Sequence, residues 1–184
     1  MTRFEAIDIV SRTLTDEPVV ASLGHPAYEL CAAGDRPLNF YTWGSMGLVS
    51  SIALGVALAR PDRRIVALDG DGSLLMNLGS LATIGASAPP NLLVVVLDNG
   101  QYGTTGGQRT ATADAADLAA VSRATGIAHA TTVGEARTFE RALDASREKP
   151  GPWVIVAKVD ESVPTAKPPL DCVFIKQRFM EALG

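Results

Sequence analysis

Short continuous runs of apolar, often β-branched residues recur along the chain, separated by stretches whose apolar positions repeat every three to four residues. Runs of about four to eight such residues mark strands buried on both faces, whereas the longer spacing marks amphipathic helices. The pattern predicts strands over 19–22, 39–42, 129–132 and 153–159, and in the runs that begin at Ile65 and Leu92. It predicts helices over 3–14, after Pro26, and over 45–59, 78–86, 118–125, 135–147 and 173–183. Alternation of this kind implies an α/β fold, a doubly wound and mostly parallel sheet with helices on both faces. Residues 163–169, with three prolines, read as a tether, and 184 residues suffice for a single domain without internal repeats.

Chemistry concentrates where two of these strands end. The run from Ile65 leads into Gly70-Asp71-Gly72-Ser73, and the run from Leu92 ends in Asp98-Asn99. In open parallel sheets ligands gather at the carboxyl ends of strands, so Asp71 and Asn99 share a crevice if their strands are neighbours. Gly70 and Gly72 let main-chain N–H groups approach a phosphate closely, and Ser73 opens a helix-compatible stretch over 74–86. Magnesium takes a hard oxygen shell made of a few protein ligands, phosphate oxygens and water, which one carboxylate and one amide suit. A lone Gly-Asp-Gly more often marks an ordinary turn. Asp98-Asn99, the glycine beyond it and Tyr102-Gly103 narrow the reading to a magnesium diphosphate site.

Two further segments bear on that site. Gly24-His25-Pro26 follows another apolar run and has the form of a strand-loop-helix phosphate cradle. His25 suits a hydrogen bond to phosphate, a proton donor's role, or a solvated loop position. Met46 falls at helical spacing with Val49, Ile52, Ala53 and Val56, so spacing alone reads it as helix core. His129 reads as structural.

Composition narrows the setting. Forty-seven per cent hydrophobic and 20% charged residues describe a soluble globular protein, and a net charge of -4 gives no nucleic-acid signal. Arg3, Glu5, Asp8 and Arg12 interrupt any leader-like apolar run, and the greasiest stretch, 47–59, is too short to span a bilayer. Cys31 and Cys172 form no ligand cluster or disulfide framework, so a cytoplasmic setting is expected, with no membrane partner.

The strand-end residues resemble the thiamine diphosphate-binding motif, a GDG followed after about thirty residues by NN or a close variant. The resemblance implies the diphosphate-binding module of that fold, with Asp71, Asn99 and the main-chain carbonyl of Gln101 holding magnesium. Asp98 departs from the usual asparagine, at a position that is not a ligand. Trp43-Gly44-Ser45-Met46-Gly47 resembles the turn that grips the aminopyrimidine. By that likeness the Gly44 carbonyl and the Met46 N–H bond the ring, and the Met46 side chain wedges beneath it to bend the cofactor. Gly24, His25, Ser45, Gly70, Gly72, Ser73, Tyr102 and Gly103 complete the implied cofactor contacts.

Residues 70–85, 98–108 and 176–183 are similar to the beta subunits of sulfopyruvate decarboxylases, and phosphonopyruvate decarboxylases are similar over their C-terminal half. This implies decarboxylation of a 2-oxo acid with a second anionic group, releasing an aldehyde and carbon dioxide, with thiamine diphosphate as electron sink. In that family a glutamate of a pyrimidine-binding domain activates the cofactor. Glu29, the nearest glutamate to a cofactor motif, does not match its position. A hetero-oligomer is therefore expected, in which an alpha subunit supplies the glutamate and half the pocket. Arg109, after the glycine-rich loop, is placed to meet the second anionic head, or is a surface arginine. Gly103, Gly106 and Gly107 would let that loop close over substrate. Half of a carboligase and a non-catalytic cofactor-binding subunit stand as alternatives.

Overall fold

All six predicted strands join one sheet. The computed structural model describes residues 1–184. In chain order it comprises α1 (Arg3–Thr13), β1 (Val19–Ala21), α2 (His25–Gly34), β2 (Asn39–Tyr41), α3 (Val49–Ala59), β3 (Ile65–Gly70), α4 (Asp71–Leu75), α5 (Gly79–Ser87) and β4 (Leu92–Asp98). There follow β5 (Gln101–Tyr102), β6 (Gln108–Arg109), α6 (Leu118–Ala124), β7 (His129–Val133), α7 (Ala136–Glu148), β8 (Trp153–Lys158) and α8 (Cys172–Leu183). The sheet order is β2-β1-β3-β4-β8-β7, and every neighbouring pair is parallel.

Strict alternation along the strands divides the core in two. On β4, Leu93, Val95 and Leu97 join one apolar cluster, while Leu92, Val94 and Val96 join the other. The first cluster receives Ile7 and Val10 of α1, Leu30 of α2, Phe139 and Leu143 of α7 and Ile175 of α8. The second receives Ala53 and Leu54 of α3, Leu81 and Ile84 of α5 and Leu118 of α6. Helices therefore cover both faces, and each buried Leu, Ile or Val side chain contributes about 1.5–3 kcal/mol. No helix is long and apolar enough to cross a membrane.

From β1 the chain steps outward to β2, then crosses back over β1 to β3 and β4. The reversal falls between β1 and β3, and the loops at their carboxyl ends open on one crevice. Side chains cap the starts of the first and last helices. Thr2 Oγ1 accepts from Glu5 N at 3.1 Å while Glu5 Oε2 accepts from Thr2 N at 2.7 Å, a capping box that starts α1 at Arg3. Asp171 accepts from Val173 N and Phe174 N to start α8. The proline-containing tether lies between β8 and α8, and Trp43 Nε1 holds it by donating to the Pro169 carbonyl at 2.9 Å. At the far side of the sheet Trp153 stacks on His129, with ring centroids 4.4 Å apart and planes 9° from parallel, in line with a structural histidine.

One expected element is corrected. The helix predicted over 45–59 begins only at Val49. Gly44 (φ 82°), Ser45 (φ 59°) and Gly47 (φ 87°) lie in the left-handed region, so residues 44–47 form a turn and Met46 stands outside the helix. Helical spacing misplaced it because the apolar pattern continues through a turn it cannot sense. The helix expected over 78–86 is α5, and a further short helix, α4, precedes it directly after β3.

Candidate functional site

Three strand ends supply the site. β1 leads to Ser22, Leu23 and Gly24; β3 ends at Gly70 and passes directly into α4 at Asp71; β4 ends at Asp98, followed by Asn99. An open cleft between them is lined by His25, Met46, Gly70, Asp71, Gly72, Ser73, Asn99, Gln101, Tyr102 and Gly103. Ten of the sequence-predicted site residues thus share one cavity, at the point where the strand order reverses. Gly24, Gly44 and Ser45 do not line it. Gly24 caps α2 with φ 77°, and a Cβ there would lie 2.5 Å from Thr104 Cγ2. Gly44 and Ser45 are exposed in the turn that carries Met46. Arg109 lines a neighbouring cleft instead, where its guanidinium pairs with Asp114 Oδ1 at 2.5 Å and its side chain is 67% exposed.

Asp71 is only 2% exposed, and its carboxylate is held from one side. Thr110 Oγ1 donates to Oδ2 at 2.5 Å and Thr112 Oγ1 to the same oxygen at 3.0 Å; neither reaches Oδ1. Thr112 Oγ1 also lies 2.8 Å from Asp98 Oδ1, and Lys158 Nζ reaches Asp98 Oδ2 at 2.5 Å. The aspartate that departs from the family pattern is therefore neutralised by a lysine one strand away, in register on β8. Burial raises the Asp71 pKa, hydrogen bonds from Thr110 and Thr112 lower it, and the Asp98 charge adds to the rise. Thr110, Thr112 and Lys158 were not singled out from sequence, and no local periodicity marks them.

Asn99 Nδ2 donates to Glu161 Oε1 at 3.5 Å, and Oδ1 accepts from Gln101 N at 3.1 Å. The polar loop after Asn99 is a small antiparallel ribbon in which Gln101 pairs with Arg109 and Tyr102 with Gln108. Gly72 accommodates it: a Cβ there would meet Tyr102 Cε1 at 2.5 Å. Beneath the cleft, Asp69 is wholly buried and accepts from Gly70 N at 2.9 Å and Ser50 Oγ at 3.2 Å. Burial pushes its pKa up to about 6 despite hydrogen bonds from the surrounding serines. Ser73 Oγ accepts from Gly47 N at 3.0 Å and Asn77 Nδ2 donates to the Gly47 carbonyl at 3.0 Å, which ties the Met46 turn to α4.

At the head of α2, two positions offer no amide to an anion. Pro26 has no N–H, and Ala27 N donates to the Ser22 carbonyl at 3.0 Å. His25 lies below its ordinary pKa, through burial first and the charge of Arg3 second. No glutamate lines the cavity. Glu29 is fully buried against Arg3, and Glu161 stands at the edge of the site, beside Gly103 and bonded to the Asn99 amide.

Comparisons with known proteins agree with this geometry. Residues 26–157 match the family described as Thiamine pyrophosphate enzyme, C-terminal TPP binding domain. The chain is 44% identical to the sulfopyruvate decarboxylase subunit beta of Methanococcus maripaludis, over 100% of this chain and 98% of that one. It is 42% identical to the sulfopyruvate decarboxylase of Methanosarcina acetivorans, covering 100% of this chain but 47% of that protein. Among solved structures, a thiamin diphosphate-dependent enzyme from Mycobacterium smegmatis, itself described as putative, superposes with a TM-score of 0.72 at 23% identity. That match covers 86% of this chain and 32% of the other, and establishes likeness of fold.

Proposed function

Since the chain belongs to the thiamine pyrophosphate enzymes, through their C-terminal TPP-binding domain and the sulfopyruvate decarboxylase beta subunits, we propose that it is the diphosphate-binding half of a two-subunit 2-oxo acid decarboxylase. The observation that carries the reading is the meeting of Asp71, Asn99 and Met46 on one cavity at the sheet's switch point. The donors there suit magnesium: Asp71 keeps Oδ1 clear of its threonine clamp, Asn99 offers an amide oxygen, and Gln101 lies on the same cavity with its carbonyl. Thiamine diphosphate would supply the electron sink for loss of carbon dioxide.

The chain's own residues then have distinct tasks. Asp71, Asn99 and the Gln101 carbonyl would hold magnesium. Met46, on a turn fixed through Gly47 to Ser73 and Asn77, supplies an apolar wedge under the ring system. Gly70, Gly72, Ser73, Tyr102 and Gly103 shape the floor and the edge of the cleft. The activating carboxylic acid is absent from the cavity, in keeping with a partner alpha subunit that supplies it at a shared interface. The Methanosarcina relative is about twice as long as this chain, which accords with both halves fused in one protein.

Sulfopyruvate and phosphonopyruvate are the substrates to test first. The chain combined with its alpha-type partner, magnesium and thiamine diphosphate should release carbon dioxide and the matching aldehyde, and pyruvate should serve less well. The chain alone should be inactive. An acyloin or acetohydroxy acid as main product would overturn decarboxylation in favour of ligation, and absence of any turnover by the assembled pair would leave a cofactor-binding subunit.

A further inference from the structure

Arg3 lies in no motif, yet it is a buried and firmly held cation. Its side chain is 4% exposed, and Nε and Nη2 donate to Glu29 Oε2 and Oε1, both at 3.0 Å. Nη2 also donates to the Ser162 carbonyl at 2.7 Å, and Ser162 Oγ closes the ring by donating to Glu29 Oε1 at 2.6 Å. The backbone is fixed too: the capping box starts α1 at Arg3, and Arg3 N donates to the Asp160 carbonyl at 2.9 Å. A planar guanidinium bound edge-on in this way presents its remaining nitrogen in one direction. Nη1 bonds no atom of the chain and is not among the sealed, unpartnered buried atoms. The uncovered remainder of Arg3 lines the cofactor cleft beside Ser22 and His25.

We infer that Arg3 is an anchor for the anionic end of the cofactor, offering Nη1 to a phosphate oxygen while Glu29 holds the guanidinium in place. The inference rests on the cofactor reading above. Nη1 keeps its two N–H groups open to the cleft, where only solvent or a bound anion can accept them. Pro26 and Ala27 offer no free N–H to this end of the cleft, so Nη1 would add to what the preceding loop amides donate. His25 is held below its usual pKa, first by burial and then by the Arg3 charge, so that charge reaches the cleft. Glu29, which does not match the activating position, acquires a task here: it positions the arginine and makes its burial tolerable.

Titration of the full chain with magnesium and inorganic pyrophosphate, followed by calorimetry, tests this without turnover. Arg3→Gln combined with Glu29→Gln removes both charges together and should weaken pyrophosphate binding by roughly tenfold to a hundredfold. Binding of inorganic monophosphate should fall less, which a general loosening of the fold would not produce. Unchanged pyrophosphate affinity in the folded double variant overturns the inference, and so does an equal loss for both anions. In the unmutated chain, the Arg3 guanidinium resonance, identified by its absence from the Arg3→Lys spectrum, should shift on saturation with magnesium pyrophosphate. An unmoved resonance overturns the inference even if the double variant does not fold. If the unmutated chain, assembled with its alpha-type partner, takes up neither pyrophosphate nor thiamine diphosphate with magnesium, the cofactor reading itself falls.

Discussion

Thr112 stands between two carboxylates. Its hydroxyl lies 3.0 Å from Asp71 Oδ2 and 2.8 Å from Asp98 Oδ1, so one small side chain bridges charges that would otherwise face each other in a buried space. Thr112→Val keeps the shape and removes the bridge. The expected loss is about 1–3 kcal/mol in urea denaturation, largely restored by Thr112→Ser. A neutral Thr112→Val would mean that Thr110 and Lys158 suffice. Asp71 and Asn99 were marked in the sequence by short strand-end motifs, whereas spacing alone put Met46 in a helix and only the resemblance placed it on the cofactor turn. Thr112, Lys158 and Arg3 carried no such mark, because their partners lie far along the chain and only the sheet order brings them together. The exposed pairing of Arg109 with Asp114 was equally invisible, being set by the ribbon that turns residue 109 toward the neighbouring cleft.

At the scale of elements, the terminal helix shows how one pair can hold a whole segment. α8 packs Phe179 against Phe40, with ring centroids 5.3 Å apart, beside the edge strand β2. It is clasped by Arg178, whose Nη1 donates to Asp35 Oδ2 at 2.7 Å; Tyr41 OH adds a bond to Asp35 Oδ1 at 2.8 Å. Burial opposes ionisation of Asp35, but the hydrogen bonds from Arg178 and Tyr41 outweigh it and hold the carboxyl below its usual 3.8. A carboxyl depressed in the folded state contributes stability above its unfolded pKa and loses it as pH falls through the folded value. The gap in urea midpoint between wild type and Asp35→Asn should thus be widest near about pH 6 and close below about pH 3. A gap that stays constant with pH would show that the clasp acts by shape alone. Strand and helix periodicity located nearly every element, but the start of α3 slipped because positive φ angles at Gly44, Ser45 and Gly47 leave no trace in hydrophobic spacing.

For the molecule as a whole, the sheet makes site and stability one problem. The ends of β1, β3 and β4 converge on the cleft, and the loop beyond Asn99 is tied back to Asp71 by Thr110 and Thr112. A ligand seated there therefore bears on the folding of the whole chain. With magnesium thiamine diphosphate free at a hundred times its Kd, mass action adds about 2.7 kcal/mol. For a domain of this size that means a rise in Tm of roughly 5–11 °C. The rise should vanish with EDTA and in Asp71→Ala; a rise that persists in Asp71→Ala would place the binding elsewhere. The alternation of strand and helix was enough to read a parallel sheet covered on both sides. The order of its strands, and with it the crevice, followed only once the crossings were seen.

The chain also carries its own optics. Trp43 adjoins the turn that bears Met46 and is hydrogen-bonded to the tether, whereas Trp153 is buried at the far side of the sheet against an imidazole ring. Emission from the first indole senses the cofactor side of the molecule, and emission from the second senses the integrity of the sheet. A phenylalanine at either position would turn the protein into a single-channel fluorometer, able to separate occupancy from unfolding without an added dye.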